Sequence, residues 1–530
     1  MLRTALRQTA PVLVSLLAAA CSGGSSHTPP PPAGPGASDA PNGQAIAPTT
    51  GIVAAGPPAA TTTAAPTSSA STLPNVPGLR GLVQTTYVVE SGEYTVPQDF
   101  TTAPPSVLVP SSTGYDVFAG QGDAQGAFVV PNVPEGVMAL VKIGNTYVET
   151  TARDLTLASA LLGRETRRDV TRNTRVQLSV GGMSAWGEYD FVTLFSENAG
   201  VAAFNYLHSA TTSPSLGATT LGALVDHAAA TTPRFIDAAI GDKTRLFHYT
   251  NDPATNCRRA TEVADLSTFS TADGQTASFT SQFAAIPSSA TLSVNWKVGF
   301  YESHRLSVHP LATQYAQELS VAALPSADRY GSYDTGPILA YCGFVNPSPA
   351  DLPLTVAYGN AFPARYVPFV AASETYSVPV SLPGAPSGSI YGSIVNVKNV
   401  TTGTFDGVVS PPRNLKVGNR AAQTEATDVG MTPIVAWDAP VVGKVVRYDV
   451  RLAEVLVSGG ALEEQTVASF TVKGTSVRLP PGLLAAGKHY YVTVTAFSSD
   501  ESSYDDTLGG KGFGLKNAAR ADALSSLFLP

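Results

Sequence analysis

The apolar and polar positions fall into three regimes along the chain. The first is one short apolar run, Pro11-Val12-Leu13-Val14-Ser15-Leu16-Leu17, with Arg3 and Arg7 before it and Ala18-Ala19-Ala20-Cys21 after it. Basic, then apolar, then small is the order of a secretory signal. The run is far shorter than the roughly 20 residues that cross a bilayer. The second regime, residues 22–73, is built from Pro, Ala, Thr, Gly and Ser, as in Pro29-Pro30-Pro31-Pro32-Ala33-Gly34-Pro35-Gly36. It holds almost no aromatic or large aliphatic residue, buries too little to offset its ordering entropy, and is predicted to be a disordered tether. Such a tether spans roughly 40 Å as a flexible coil and roughly 160 Å as polyproline II.

The third regime begins near Leu79 with period-2 alternation. Short runs at Gly81 to Val89, Ser106 to Val109 and Tyr115 to Phe118, divided by Pro and Gly, predict a small β-sandwich over 79–154. Residues 155–400 predict strands at Arg175 to Val180, Phe191 to Phe195, Thr244 to Tyr249, Ala277 to Phe279, Thr291 to Trp296 and Leu354 to Tyr358, with a hairpin turn at Asp273-Gly274. Two short helices are predicted there, Leu155 to Leu162, stopped by Gly163, and Thr220 to Ala230. No repeat period supports a propeller, so this region reads as one or two β-sandwich units of unknown type. Further runs at Pro411 to Val417, Pro433 to Pro440, Val445 to Leu452 and Leu484 to Ala496 make residues 410–530 a last β unit. The predicted fold class is mainly β, with several sandwiches following the tether.

Three motifs carry family resemblances. Residues 1–21 resemble a bacterial lipoprotein signal, although Ala18 stands where the family usually has Leu. That resemblance implies lipidation of Cys21 by acyl chains such as palmitate, and Ser22 after the Cys resembles the outer-membrane default. The periplasmic or surface face stays undecided, and the alternative is an unlipidated signal followed by an incidental Cys. Gly122-Asp123-Ala124-Gln125-Gly126-Ala127-Phe128-Val129-Val130-Pro131-Asn132-Val133-Pro134-Glu135-Gly136 resembles a segment of carboxypeptidase-regulatory-like modules. The resemblance implies a hairpin turn at Gly126, Phe128 and Val130 on the core face, and Gly136 leading into the next strand. Residues 410–530 resemble a fibronectin type III domain. That resemblance puts Leu415, Trp437 and Tyr448 on strands A, B and C. It makes Leu484, Gly487 and Tyr490 the corner before strand F, with Ala486 where Pro is usual, and points Tyr490, Val492 and Val494 inward. Arg520 to Phe528 is then strand G. The expected class is thus multi-domain sandwiches of Ig/fibronectin III-like type.

Charged residues make up 14% of the 530, below the roughly 25% of ordinary soluble domains, while 47 Gly and 41 Pro suit turn-rich β structure. The net charge of −8 and a single interrupted basic run, Arg164 to Arg175, argue against nucleic acid as a partner. With Cys21 acylated, Cys257 and Cys342 remain as an even pair in an exported chain, a candidate disulfide, the alternative being two buried thiols.

Candidate chemistry is sparse. Gly120, Gly122 and Gly126 miss the spacing of a phosphate loop, and no helix follows them. His304 and His309 are five apart, on opposite faces if they lie on a strand, and no HExxH or paired CxxC is present. Ser184 lacks the second Gly of a nucleophile elbow, and the adjacent Asp226 and His227 cannot both serve one serine. Asp500, Glu501, Asp505 and Asp506 pose a calcium site against a solvated acidic loop, and the loop is preferred. No catalytic residue, metal or cofactor is therefore assigned. The expected function is that of a lipid-anchored envelope protein that binds, bridges or spaces, with a protein or polysaccharide partner left open. A polysaccharide-binding adhesive protein is the first alternative, although Trp186, Trp296 and the many tyrosines read as core or sheet-surface residues in preference to sugar platforms. A hydrolase with a non-local site in the middle region is the second.

Overall fold

The computed structural model describes residues 73–530 except 75, 113, 213, 325–337, 345–349, 386, 401, 459–460 and 500–517. Cys21, the segment 22–72 and the acidic residues Asp500, Glu501, Asp505 and Asp506 lie outside the described residues. The fold is mainly β, as the alternation predicts, and its strands form four two-layer sandwiches.

The first sandwich contains β1 (Gly78–Val89), β2 (Gly92–Pro97), β3 (Ser106–Pro110), β4 (Tyr115–Ala119), β5 (Ala127–Pro131), β6 (Ala139–Ile143), β7 (Thr146–Thr150) and β8 (Asp154–Leu162). One layer has β1 between β8 and β5, with β2 on its second half; the other runs β4–β3–β6–β7. Leu79, Val107, Phe128, Val130, Val141 and Leu155 meet between them. Gly126 turns the chain into β5 at φ +79°, a conformation that costs glycine little. At Gly81 a Cβ would stand 2.3 Å from the Phe128 ring, so only glycine lets that ring fill the core.

Two predicted helices are strands instead. Residues 154–162 form β8, hydrogen-bonded in parallel to β1 from Arg80↔Asp154 to Val88↔Leu162. In the second sandwich, Leu221–Asp226 is a strand, followed only by a 3₁₀ turn over His227–Ala229. Ala and Leu favour helices locally, but the available strand partners decide both segments.

The second sandwich has β9 (Arg175–Gly181), β10 (Phe191–Ser196), β11 (Val201–Ala203), β12 (Leu221–Asp226), β13 (Thr244–Asp252), β14 (Cys257–Leu266) and β15 (Thr276–Gln282). Its layers are β12–β9–β15 and β11–β10–β13–β14. The turn at Asp273-Gly274 therefore crosses between facing layers and is not a hairpin of paired strands.

The third sandwich has β16 (Ala290–Trp296), α1 (Val298–Val308), β17 (Thr313–Leu324), β18 (Ile338–Phe344), β19 (Leu352–Tyr358), β20 (Val367–Val380), β21 (Gly388–Asn399) and β22 (Gly403–Phe405). Its layers are β19–β16–β22 and β18–β17–β20–β21. His304 thus lies on a helix, and His309 just past its end.

The fourth has β23 (Arg413–Val417), β24 (Ile434–Asp438), β25 (Arg447–Ser458), β26 (Ala461–Val472), β27 (Ser476–Arg478), β28 (His489–Ser498) and β29 (Ala518–Leu524). Its layers are β23–β24–β27 and β26–β25–β28–β29, an A–B–E and C′–C–F–G order of strands. The last strand is 518–524, earlier than expected. Beyond it Phe528 bridges to Tyr490 and to Ala426.

The sandwiches are joined edge to edge. β7 pairs in parallel with β26 (Thr146↔Ser469, Tyr147↔Phe470, Val148↔Thr471). β29 pairs with β21 (Ala521↔Ile394 to Ala518↔Val397). β18 pairs with β14 (Cys342↔Cys257, Tyr341↔Arg258, Ala340↔Arg259), and Cys257 and Cys342 are disulfide-bonded there. One hydrogen-bonded sheet thereby runs β4–β3–β6–β7–β26–β25–β28–β29–β21–β20–β17–β18–β14–β13–β10–β11 through all four units. Arg365 adds a polar tie. Its guanidinium donates to the Val89 and Glu90 carbonyls (3.0 and 3.2 Å) in the first sandwich and is ion-paired with Glu197 in the second.

Candidate functional site

A buried polar cluster in the middle of the chain lies beneath the loop 182–190, which joins β9 to β10. His248 on β13 is fully buried between two carboxylates. Its Nδ1 is 2.8 Å from Glu262 Oε2, and its Nε2 is 3.3 Å from Asp190 Oδ2. Glu262 comes from β14, and both its oxygens accept the Ser184 backbone N–H (2.9 and 3.1 Å). Ser184 Oγ donates to Glu262 Oε2 at 3.2 Å. Asp190 accepts from the Gly187 N–H (2.6 Å) and the Asn251 N–H (2.9 Å). Burial pushes the Asp190 carboxyl up, but the His248 and backbone hydrogen bonds outweigh it and hold the group below its ordinary value. Trp186 stacks on the imidazole at 5.2 Å with an interplanar angle of 9°.

This arrangement fixes a loop. Ser184 donates to a carboxylate and makes no bond to the imidazole, so the order is serine–carboxylate–histidine. The Glu262 carboxylate is occupied by the Ser184 N–H and O–H and by His248. The backbone finishes the bracing: Met183 N–H to Thr219 O, Trp186 N–H to Ala218 O, and Gly217 N–H to Trp186 O. Arg258 Nε donates to the Tyr189 carbonyl at 2.9 Å, and its guanidinium lies 5.8 Å from the Tyr189 ring and 6.0 Å from that of Tyr341. Tyr189 itself is 53% exposed.

The other singled-out residues have separate places. His227 is buried, receives the Tyr206 hydroxyl at Nδ1 (2.7 Å) and donates from Nε2 to the Arg234 carbonyl (2.9 Å); Asp226 instead accepts from the Ala228 N–H. His304 packs on Phe300, whereas His309 accepts the Leu311 N–H at Nδ1 and donates from Nε2 to Ser526 Oγ (3.0 Å). Trp296 is fully buried and is no platform. Leu415, Trp437, Tyr448, Leu484, Tyr490, Val492 and Val494 are all buried in a core to which all four sandwiches contribute. The Tyr490 hydroxyl accepts the Ala485 N–H at 3.0 Å. Arg164 is paired with Asp242 and Arg168 with Asp273, while Arg167 donates to the Leu162 carbonyl. An open cleft of about 550 Å³ between the third and fourth sandwiches has Leu311, Val380, Leu527 and Glu425 in its walls. Among the described residues, no group of three or more His, Cys, Asp or Glu is placed to hold a metal ion. None of their helices is long and apolar enough to cross a membrane.

The sequence does not mark His248, Glu262 and Asp190 as a cluster. Their one visible signal is a histidine inside the otherwise buried run Leu246 to Tyr249.

No family model matches the chain, and no curated protein matches it. Several solved structures are similar to it at low identity. One is a Ca²⁺-stabilised adhesin that helps an Antarctic bacterium reach out and bind ice (12% identity, 86% of this chain and 99% of that one, TM-score 0.14). Others are the FN1–FN3 domains of chicken CNTN1 (11%, 69% and 98%, TM-score 0.12) and domains A168–A170 of titin (8%, 68% and 93%, TM-score 0.13). TM-scores this low carry no argument about function.

Proposed function

We propose that the chain is an exported protein, lipid-anchored through Cys21 to a bacterial outer membrane, whose folded part binds, bridges or spaces without catalysis. The observation that carries this reading is the single sheet running through four sandwiches, which presents one continuous body at the end of the N-terminal segment. Its buried ionic groups serve the joints and loops: Arg365–Glu197 ties three sandwiches, and Glu262–His248–Asp190 holds a loop. The arginines at 164, 167 and 168 are engaged within the chain, which supports a partner other than nucleic acid. The Gly126 turn with Phe128 and Val130 in the core supports a carboxypeptidase-regulatory-like first module. The A–B–E and C′–C–F–G layers support a fibronectin III-like last module.

The test is metabolic labelling with an alkyne palmitate analogue, followed by fractionation and protease shaving of intact cells. Label and outer-membrane residence that are both lost in Cys21→Ser support the reading. An unlabelled wild type released as a soluble protein contradicts it. Shaving then distinguishes a surface from a periplasmic face.

A further inference from the structure

We propose that loop 182–190 is a carbohydrate-binding loop on which Tyr189 offers its ring to a neutral polysaccharide. This rests on the binding reading above and names its ligand class. Among the described residues, Tyr94 and Tyr189 are the exposed aromatics. They differ in how far they are engaged. The Tyr94 ring stacks on Tyr87 at 5.5 Å and its hydroxyl receives the Glu165 N–H. The Tyr189 ring is backed by the Arg258 guanidinium, which leads on to Tyr341, and more than half of the residue faces solvent. This ring–guanidinium–ring ladder crosses the β14–β18 seam beside Cys257–Cys342, and ligand sites concentrate where units meet.

The loop is also fixed before any ligand arrives. Asp190 and Glu262 hold it at Gly187 and Ser184, Trp186 is clamped on His248, and Arg258 grips the Tyr189 carbonyl. Burying those charges costs desolvation, and a plain connection between two strands has no use for them. A weak ligand such as a sugar gains most from a site that loses little freedom on binding. A sugar ring needs an aromatic face for its C–H groups and fixed polar groups for its hydroxyls. Exposed Ser184 and Glu188 flank Trp186 and Tyr189 in the loop, and half-buried Arg258 lies under the Tyr189 ring. A neutral chain fits better than a polyanion, because Arg258 already donates to the Tyr189 carbonyl with the Asp190 carboxylate acting on it, and exposed Glu188 adjoins Tyr189 in the loop.

The experiment is native affinity electrophoresis of the mature chain in gels containing xyloglucan, mixed-linkage β-glucan, galactomannan or dextran, with alginate as the polyanion. Wild type is expected to be retarded by at least one neutral polymer. Tyr189→Ala should weaken that retardation roughly tenfold or more, while Tyr189→Phe and Tyr94→Ala keep it. The inference is overturned if no neutral polymer retards the protein, if alginate alone does, or if Tyr189→Ala binds like wild type. Equal melting curves for the variants exclude misfolding as the cause. Failure here leaves the anchored, non-catalytic reading untouched, since palmitate labelling and fractionation decide that separately.

Discussion

The ring of Tyr147 lies nearly parallel to that of Phe470, centroid to centroid at 4.7 Å, and so stacks the first sandwich on the fourth. The two residues sit opposite one another in the β7–β26 seam, and both are buried. Removing one ring leaves the other without its cover. Phe470→Ala should cost about 3–5 kcal/mol, as for other buried aromatic truncations. Scanning calorimetry of the variant should show the first sandwich melting ahead of the rest. An unchanged melting profile would mean that the seam contributes nothing.

The Cys257–Cys342 bond closes a loop with a sequence separation of 85 and sits within the seam between the second and third sandwiches. In the chain-entropy model a loop of that length is worth about 4–5 kcal/mol. Replacing both cysteines by alanine should lower the guanidinium midpoint accordingly, and reduction of the wild type should reproduce the effect.

Buried carboxyls shape the pH dependence: burial pushes Glu197 and Asp449 up, and Glu318 and Glu374 with them. Burial pushes Glu318 on β17 up to about 8, partly offset by the hydrogen bond from Tyr341. Burial likewise pushes Glu374 on β20 up to about 8, partly offset by Tyr376. Between the ordinary carboxyl value of 4.5 and about 8 the folded chain keeps protons that the unfolded chain has lost. Stability should therefore fall as pH rises through that window, by up to about 1.4 kcal/mol per pH unit for each group, and level off above it. Urea midpoints at pH 5 and pH 8 measure this, and Glu318→Gln with Glu374→Gln should flatten the difference.

The Tyr490 hydroxyl accepts the Ala485 N–H, which caps the turn before β28. Tyr490→Phe keeps the ring and strands that N–H, at about 1–2 kcal/mol. A loss confined to this range in chemical denaturation fits a corner bond, whereas no loss would mean that water replaces it.

What the sequence reveals of this fold is its local part. Period-2 alternation locates Leu79, Phe128 and Val130 on one core, and the spacing of Leu484, Gly487 and Tyr490 marks the corner that the structure shows. Ala- and Leu-rich stretches mislead: Leu155 to Leu162 has helical propensity, yet β1 offers it a full parallel partner. Pairings such as Tyr147 with Phe470 leave no local trace, because either strand alternates identically whether or not its edge is covered. The loop cluster is hidden for the same reason. Ser184 and Asp190 share the loop 182–190, His248 lies on β13 and Glu262 on β14, and the three places meet only once β10, β13 and β14 have paired.

The central claim is that edge pairing makes four sandwiches one body. Spin labels at Val117→Cys in the first sandwich and Ile240→Cys in the second, both exposed, report on it directly in a chain carrying Cys21→Ser. Pulsed electron–electron dipolar spectroscopy should give one narrow distance distribution, retained on dilution and broadened by Phe470→Ala. A broad or multi-peaked distribution in the otherwise unaltered chain would contradict the claim and describe separate sandwiches on flexible joints.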